Sequence, residues 1–153
     1  MGTDARIQSL GEFWPYYLSE HRHPVSRILH FFGTTGFFAS VIAGVAMNPM
    51  WGGIALAVAI ASGAVGALWL EPKRAAFVPL LLVVASLSIA APVVLGGVVG
   101  AYAAAWIGHF RIEHNRPATF KYPVWSFLCD FRMWGQMARG RLWSGDTVTA
   151  VSA

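Results

Sequence analysis

The chain has very little charge, and the charge it has is unevenly placed. Only 12% of its 153 residues are Asp, Glu, Lys or Arg, whereas an ordinary globular chain carries roughly 25%. None of these residues occurs between Ile28 and Leu70 or between Ala75 and Phe110. Hydrophobic residues make up 56% of the chain. This composition argues against a small soluble bundle and favours a membrane protein.

Other absences exclude several kinds of function. The single cysteine, Cys129, excludes an internal disulfide and is interpreted as a packing residue. No HExxH, GxSxG, P-loop or GxGxxG motif occurs, so zincin proteases, nucleophile-elbow hydrolases and common nucleotide-binding folds are unsupported. The five histidines are too few for the histidine-rich diiron centre of a membrane desaturase. No basic cluster with interleaved aromatics is present, so no nucleic-acid partner is expected.

Each uncharged run is too long for a single membrane crossing, which takes about 20 residues. Asn48-Pro49 and Ala91-Pro92 stand near the middle of the runs and predict turns, because proline fixes φ and lacks an N–H donor. We therefore predict one all-α membrane domain, residues 1–153, in which two helical hairpins form an integral membrane four-helix bundle. The predicted spans are about 28–47, 51–70, 75–91 and 93–110.

The charged residues share one side of this predicted topology. They lie before the first span, in the "EPKR" segment at 71–74, and after the fourth span. Lys and Arg mark the cytoplasmic face, so both termini are expected in the cytoplasm. The membrane would be the inner membrane of a bacterium or the endoplasmic reticulum of a eukaryote. The net charge of +4 fits contact with anionic lipid.

Two further patterns concern packing. Phe127, Phe131 and Trp134 are spaced to share one face and predict an interfacial helix at about 124–140. Small residues recur every fourth position in two stripes, which let helices approach closely. The stripes predict packing within the four-helix unit or, in the alternative, a homo-oligomer. Their members are Ala55, Ala59, Gly63 and Ala67, and Gly96, Gly100, Ala104 and Gly108.

All five histidines fall on the charged side of the predicted topology. Ionisable groups at the ends of membrane spans usually face a cavity, and neutral imidazole is the commonest metal ligand in proteins. In "GHFRIEH", His109 and Glu113 lie four residues apart and so share a helix face. Histidines with one carboxylate suit non-haem Fe(II), and they also fit Zn or Mn. The histidines are His21, His23, His30, His109 and His114.

The histidines are not equivalent, and each has an alternative as an interfacial polar residue. His23 precedes Pro24, which predicts a helix-capping or loop role. His114 is turned by about 140° from His109 on a continuous helix, so the two do not face one centre. Helical spacing alone would pair His23 with His30, which lies seven positions later on the same face.

Two motifs together resemble a known family. They are "YLSEHRHPVSRILHFFGT" at 17–34 and "WIGHFRIEHNRPATF" at 106–120, followed by "YPVWSFLCDFRMW" at 122–134. The chain is similar to the family of small multi-span membrane proteins that includes the fungal 2-hydroxy fatty acid dioxygenase and bacterial members. The resemblance covers most of the chain and depends on both motifs together.

The resemblance implies a mononuclear non-haem Fe(II) dioxygenase that needs no 2-oxoglutarate. Such an enzyme uses O2 to shorten a 2-hydroxy fatty acid by one carbon. The family pattern implies metal ligands at His21, His30, His109 and Glu113, and it makes His23 and His114 less probable ligands.

A 2-hydroxy acid can chelate iron through its carboxylate and hydroxyl oxygens, and an arginine can attract the carboxylate. Arg27, one turn before His30, is the preferred candidate for this catalytic role. The other candidates are Arg22, Arg111 and Arg116.

Two other classes of function stay open at the level of sequence. One is a non-catalytic membrane protein whose histidines bind zinc or line an interface. The other is a small transporter, which the lack of charge inside the spans disfavours, because ion paths usually carry a charged residue.

Overall fold

A computed structural model describes residues 6–144, and it contains helices and no strands within that range. The all-α class is therefore confirmed for this part of the chain. The helices are α1 (Leu10–Ser19), α2 (Pro24–Met47), α3 (Pro49–Val65), α4 (Phe77–Ala90), α5 (Val93–Ile107) and α6 (Pro123–Ala138). Short π-helical turns follow α3 at Gly66–Leu70 and α5 at Gly108–Glu113, and a 3-10 turn spans Ala118–Phe120.

Proline sets several of these boundaries. Pro24, Pro49 and Pro123 occupy first-turn positions of α2, α3 and α6, where their missing N–H would have no intrahelical acceptor. Asn48 ends α2 and precedes α3, while Ala91 adopts an extended conformation at the end of α4. The two turns predicted in the uncharged runs are therefore confirmed.

Three helical segments are long and apolar enough to cross a membrane. They are α2, α3 with its π turn, and α5 with its π turn, and at most 22% of the residues in each apolar window are buried inside the protein. Most of their apolar side chains therefore face outward, which indicates a membrane protein. The predicted third span is the 14-residue α4. At about 1.5 Å per residue it is shorter than the roughly 30 Å hydrocarbon core, so the four-span bundle stays a prediction.

Helices α2 and α5 pack very closely. A Cβ added at Gly33 of α2 would lie 3.1 Å from the backbone of Ala101 in α5, and one added at Gly108 would lie 2.9 Å from the Ser26 hydroxyl. Glycine is needed where backbones approach to this extent. This contact brings the end of α5 against the start of α2.

The two predicted stripes of small residues have different surroundings. Ala55 and Ala59 of α3 are buried in one apolar cluster with Val83 and Leu87 of α4, which confirms packing within the chain for that stripe. In the other stripe, a Cβ added at Gly96 or Gly100 would meet no atom within 4 Å. Part of that second stripe therefore lies on an open face of α5.

Helix α6 is covered on two sides. Phe127, Phe131 and Trp134 share one face, as predicted, and their rings contact Phe37 and Phe38 of α2. On the other side, Trp125, Cys129, Met133 and Met137 are buried with Phe13 and Tyr17 of α1. Helix α6 is therefore more enclosed than the amphipathic pattern predicted, because aromatic residues of α1 cover its second face.

Glu71 lies fully buried where three segments meet. Its Oε2 accepts the backbone N–H groups of Val124 at 2.8 Å and of Trp125 at 3.4 Å, and its Oε1 lies 3.3 Å from Nη2 of Arg6. The carboxylate thus joins the N-terminal segment and the end of the α3 region to the start of α6. Burial raises the pKa of Glu71 from 4.5 to about 7, against the opposing effect of these donors.

We expect the free energy of unfolding to fall as the pH rises from about 4.5 to about 7, because the folded protein binds the Glu71 proton more tightly than the unfolded chain does. This contribution is present at low pH and is lost through that window. Glu71→Gln, which cannot titrate, should remove it. Chemical unfolding of both proteins in detergent across the window measures the effect, and equal pH slopes would contradict the prediction.

Candidate metal centre

Three histidines from different segments meet at one end of the α2–α5 pair. His21 lies in the turn between α1 and α2, His30 lies in the second turn of α2, and His109 lies in the π turn after α5. Pro24 starts α2 directly after the His21 segment, and Gly108 lets the end of α5 approach α2. These two local features bring positions 21, 30 and 109 together.

The three imidazoles form a tight, buried group. Their exposed fractions are 1% for His21, 5% for His30 and 3% for His109. When one ring nitrogen is taken from each imidazole, the three nitrogens all lie within 4.8 Å of one another. The ring centroids are 4.5 to 5.3 Å apart. Such a group can hold a metal ion.

Each histidine is oriented through Nδ1 by an oxygen acceptor. Nδ1 of His21 lies 2.7 Å from the backbone oxygen of Tyr17, and Nδ1 of His30 lies 3.0 Å from Oδ1 of Asp130. Nδ1 of His109 lies 2.8 Å from Oδ1 of Asn115. A carbonyl or carboxylate oxygen only accepts, so each Nδ1 carries the proton and each Nε2 keeps a free lone pair. This is the arrangement that metal-bound histidines usually show.

The orientation of the Asn115 amide is fixed by its other contacts. Its Nδ2 donates to the backbone oxygen and to Oε2 of Glu20, each at 2.8 Å. Both of these oxygens accept, so the amide nitrogen faces Glu20 and the amide oxygen faces His109. The Nδ1–H tautomer of His109 therefore follows from the wider network.

The free nitrogens are placed as ligands rather than as partners of each other. Nε2 of His21 and Nε2 of His30 are 3.2 Å apart, although neither carries the proton needed for a hydrogen bond between them. Two lone pairs at this distance repel unless a cation lies between them. Nitrogen ligands about 2.0–2.1 Å from one metal ion are separated by roughly 3.0–3.4 Å at common coordination angles. The spacing therefore fits a bound metal.

Burial keeps His21 in the state that a metal ligand requires. Its pKa is lowered well below the ordinary value, first by burial and then by the positive charge that His30 and His109 would carry. A neutral imidazole binds metal through its unprotonated nitrogen. The local helix geometry is also unusual, because His109 lies in a π-helical turn, a feature frequent at functional sites.

Glu113 and the remaining histidines lie outside this group of nitrogens. Oε1 of Glu113 accepts the backbone N–H of His23 at 2.8 Å, so the structure does not bring this carboxylate among the three histidines. Nδ1 of His23 accepts the Val25 N–H at 3.1 Å, which confirms its predicted capping role. His114 is exposed and has a left-handed φ of 54° where the π turn ends.

Arg27 holds the backbone near the metal centre together and does not line the cavity described below. It is fully buried, and its Nε donates to the Leu142 carbonyl at 2.7 Å. Its Nη1 donates to the carbonyls of His21 at 2.9 Å and Arg22 at 2.6 Å. These contacts fix the turn that carries His21, which differs from the predicted role of attracting a carboxylate.

An apolar cavity begins at the three histidines. The cavity is open on one side, and its space counted together with the solvent at that opening is about 750 Å³. Its wall passes from the imidazoles to apolar side chains of α2, α4, α5 and α6, with no Lys or Arg among the lining residues. From His109 to Val98 it follows α5 for 11 residues, or roughly 16 Å of helix at about 1.5 Å per residue. The apolar part of the wall includes Phe37, Val84, Val98, Ala101, Phe127 and Phe131.

Sequence reasoning missed Asp130 and Asn115, two residues that orient the histidines. Asp130 lines the cavity and also accepts a hydrogen bond from the Tyr17 hydroxyl. One sequence signal was available, because Asp130 is the only acidic residue between Pro123 and Ala138, in a helix rich in aromatic residues. A single carboxylate in such a setting needs a buried partner.

Over the described residues, fold and site define a class: a helical protein with membrane-length helices and three buried histidines that could hold a metal ion at the head of an apolar cavity. The family model described as "2-hydroxy-palmitic acid dioxygenase Mpo1-like" matches residues 7–142. The chain belongs to this Mpo1-like family, which confirms the resemblance drawn from the two histidine motifs. Neither the curated proteins nor the solved structures include a match to it.

Proposed function

We propose that this protein is a membrane Fe(II)-dependent dioxygenase that shortens long-chain 2-hydroxy fatty acids by one carbon. The observation that carries the proposal is the group of three buried imidazoles whose ring nitrogens lie within 4.8 Å of one another at the head of an apolar cavity. The family description supports the substrate class and the type of reaction.

His21, His30 and His109 are the proposed ligands, each held in the neutral Nδ1–H form by its oxygen partner. With three histidine ligands and no carboxylate in the group, the centre would leave positions open for other ligands. Fe(II) bound there supplies the redox chemistry by which non-haem iron enzymes use O2. Tyr17, Asp130 and Asn115 keep the imidazoles aligned, so little reorganisation accompanies ligand binding.

The cavity suits an acyl chain. Its apolar walls would take the alkyl part of the substrate, while the polar end would lie at the histidines. An extended chain built from carbon–carbon bonds of about 1.5 Å advances roughly 1.25 Å per carbon, so 16 Å of wall accommodates about 13 carbons. Enclosing the acyl chain of the substrate in the cavity also keeps water away from the reacting carbons.

The membrane setting suits this substrate, because a fatty acid partitions into lipid. We propose a four-helix membrane arrangement in which α4 completes two hairpins and the metal centre lies near the charged face. In this arrangement both termini are cytoplasmic, following the placement of Lys and Arg. Exposed arginines on the charged side of the protein, such as Arg111 and Arg116, would attract the anionic substrate.

The proposed reaction is balanced without a further reductant. A 2-hydroxy acid and one O2 give the acid one carbon shorter, CO2 and water. The carbon–carbon bond between C1 and C2 breaks, C1 leaves as CO2, and C2 becomes the new carboxyl carbon. This balance agrees with a reaction that needs no 2-oxoglutarate.

Purified protein tests the proposal directly. Protein without a His-tag, loaded with Fe(II) and given 2-hydroxypalmitate and O2, should yield pentadecanoic acid, with equal amounts of substrate and O2 consumed. Metal analysis should give about one iron per chain, which is the capacity of a single three-histidine group. Removal of iron with a chelator should stop the reaction, and returning Fe(II) but not Zn(II) should restore it.

Two results would contradict the proposal. Protein that binds Zn(II) tightly and does not react after Fe(II) loading would favour the alternative of a non-catalytic zinc protein. Equal conversion of palmitate and 2-hydroxypalmitate would contradict the substrate class.

A further inference from the structure

Only one of the two carboxylate oxygens of Asp130 forms hydrogen bonds with the described residues of the protein. Oδ1 accepts from Nδ1 of His30 at 3.0 Å and also from the Tyr17 hydroxyl. Within residues 6–144, Oδ2 has no hydrogen bond, although Asp130 lines the cavity and its side chain is 27% exposed. An ionised carboxylate is an acceptor only. The cavity therefore contains an acceptor oxygen with free lone pairs beside a proposed metal ligand.

We propose that Oδ2 of Asp130 accepts a hydrogen bond from the hydroxyl group on carbon 2 of the substrate and thereby selects 2-hydroxy acids. This inference rests on the proposed function and adds a residue that recognises the substrate hydroxyl by accepting its hydrogen bond. Acids without the hydroxyl leave Oδ2 unpaired inside a largely apolar cavity, which is unfavourable. A 2-oxo acid, which has an oxygen on carbon 2 but no proton to donate, is disfavoured for the same reason.

The charge of Asp130 also orients the rest of the substrate. Like charges repel, so the substrate carboxylate lies away from the Asp130 carboxylate. The alkyl chain is directed into the apolar part of the cavity, which has no Lys or Arg on its wall. The hydroxyl, the carboxylate and the chain are then each assigned a direction around carbon 2. A centre with three assigned substituents accepts one enantiomer and not the other.

Ser126 provides a matched control and a competing hypothesis. It lies one helical turn before Asp130 on α6, lines the same cavity and is 2% exposed. Its hydroxyl has no hydrogen-bond partner among the described residues. If a contact between hydroxyl groups recognised the substrate, Ser126 could provide it, because its buried hydroxyl has no partner among the described residues. Ser126→Ala removes that group and leaves Asp130 unchanged.

Asp130→Asn is the informative substitution because it replaces one carboxylate oxygen with an amide nitrogen and keeps the other oxygen as an acceptor. The amide oxygen still accepts from His30 and Tyr17, while the group facing the cavity becomes an N–H donor. Metal content of about one iron per chain should persist. The substituted side chain can no longer accept the hydroxyl proton.

The test measures binding without turnover. Full-length, Fe(II)-loaded protein is titrated without O2 with palmitate, 2-oxopalmitate and each enantiomer of 2-hydroxypalmitate. We expect wild-type protein to bind one hydroxy enantiomer at least about tenfold more tightly than the other three ligands, as for a hydrogen bond to a charged group. Asp130→Asn should reduce the preferences over the other enantiomer and over 2-oxopalmitate to within about threefold, and Ser126→Ala should keep them.

Several results would overturn the inference. These are preferences retained in Asp130→Asn, preferences lost in Ser126→Ala, or equally tight binding of 2-oxopalmitate and 2-hydroxypalmitate by wild-type protein. The comparison of 2-oxopalmitate with 2-hydroxypalmitate uses only wild-type protein, so it tests the inference even if Asp130→Asn fails to fold. Wild-type protein that binds none of the acids would instead contradict the proposed function itself.

Discussion

His30→Ala and His109→Ala should each abolish stoichiometric metal binding and, with it, formation of the shortened acid. Each substitution removes one of the three clustered imidazoles, and each of these histidines is at most 5% exposed. Loss of an orienting partner of a metal ligand alone typically costs 10–100-fold in affinity or activity, so loss of a ligand should exceed about 100-fold. Iron per chain after gel filtration and iron affinity by competition with a chelator measure the effect.

His114→Asn is the matched control. His114 has a left-handed backbone conformation, which asparagine tolerates better than most residues, and its exposed side chain lies outside the three-histidine group. Iron content and affinity should stay within about twofold of wild type. A loss of iron in His114→Asn equal to that in His30→Ala would show that the site is assigned to the wrong residues.

Much of the fold was predictable because its signals are local in the chain. The charge-free runs and the prolines at positions 49 and 92 placed the hairpin turns, and Pro24 and Pro49 mark helix starts that lie within four residues of those predicted. Length and apolarity also identified the segments that form α2, α3 and α5. The short α4 shows the limit, because composition marks an apolar stretch without fixing how many residues stay helical.

The candidate site was predictable only in part. The family resemblance predicts His21, His30, His109 and Glu113 as ligands, and the structure groups the three histidines without Glu113. Helical spacing alone would pair His23 with His30. The structure brings His21 to His30 because it lies in the turn before α2, where helical periodicity does not apply. Asn115 and Asp130 act across 6 and 100 positions of sequence, and no periodic pattern reports contacts at such separations.

The structure places Arg27 among backbone carbonyls, while its predicted role in attracting a substrate carboxylate stays a prediction. Its proximity to His30 in sequence suggested attraction of a substrate carboxylate, but its guanidinium is buried among backbone carbonyls of residues 21, 22 and 142. Those carbonyls belong to the turn before α2 and to the segment after α6. The residue therefore links the His21 turn to the chain that follows α6.

Arg27→Met should accordingly destabilise the protein by at least about 2 kcal/mol, because methionine leaves two buried carbonyl oxygens and one partly buried carbonyl oxygen without this donor. It should also weaken iron binding, because the His21 carbonyl loses its hydrogen bond from Arg27 and the contact of the ring with the Tyr17 carbonyl remains. Arg27→Lys should rescue little, since a single ammonium group cannot reproduce the guanidinium geometry. Chemical unfolding in detergent and chelator competition measure the two effects.

The exposed Arg116 gives the comparison that separates packing from substrate attraction. Arg116→Met should change the free energy of unfolding by no more than about 0.5 kcal/mol, as is usual for surface substitutions. A role of Arg27 in binding the substrate carboxylate would instead raise the KM of Arg27→Met for the 2-hydroxy acid and leave its stability equal to that of Arg116→Met. That outcome would refute the structural role, because the two buried carbonyl oxygens cannot lose their donor without a cost in folding.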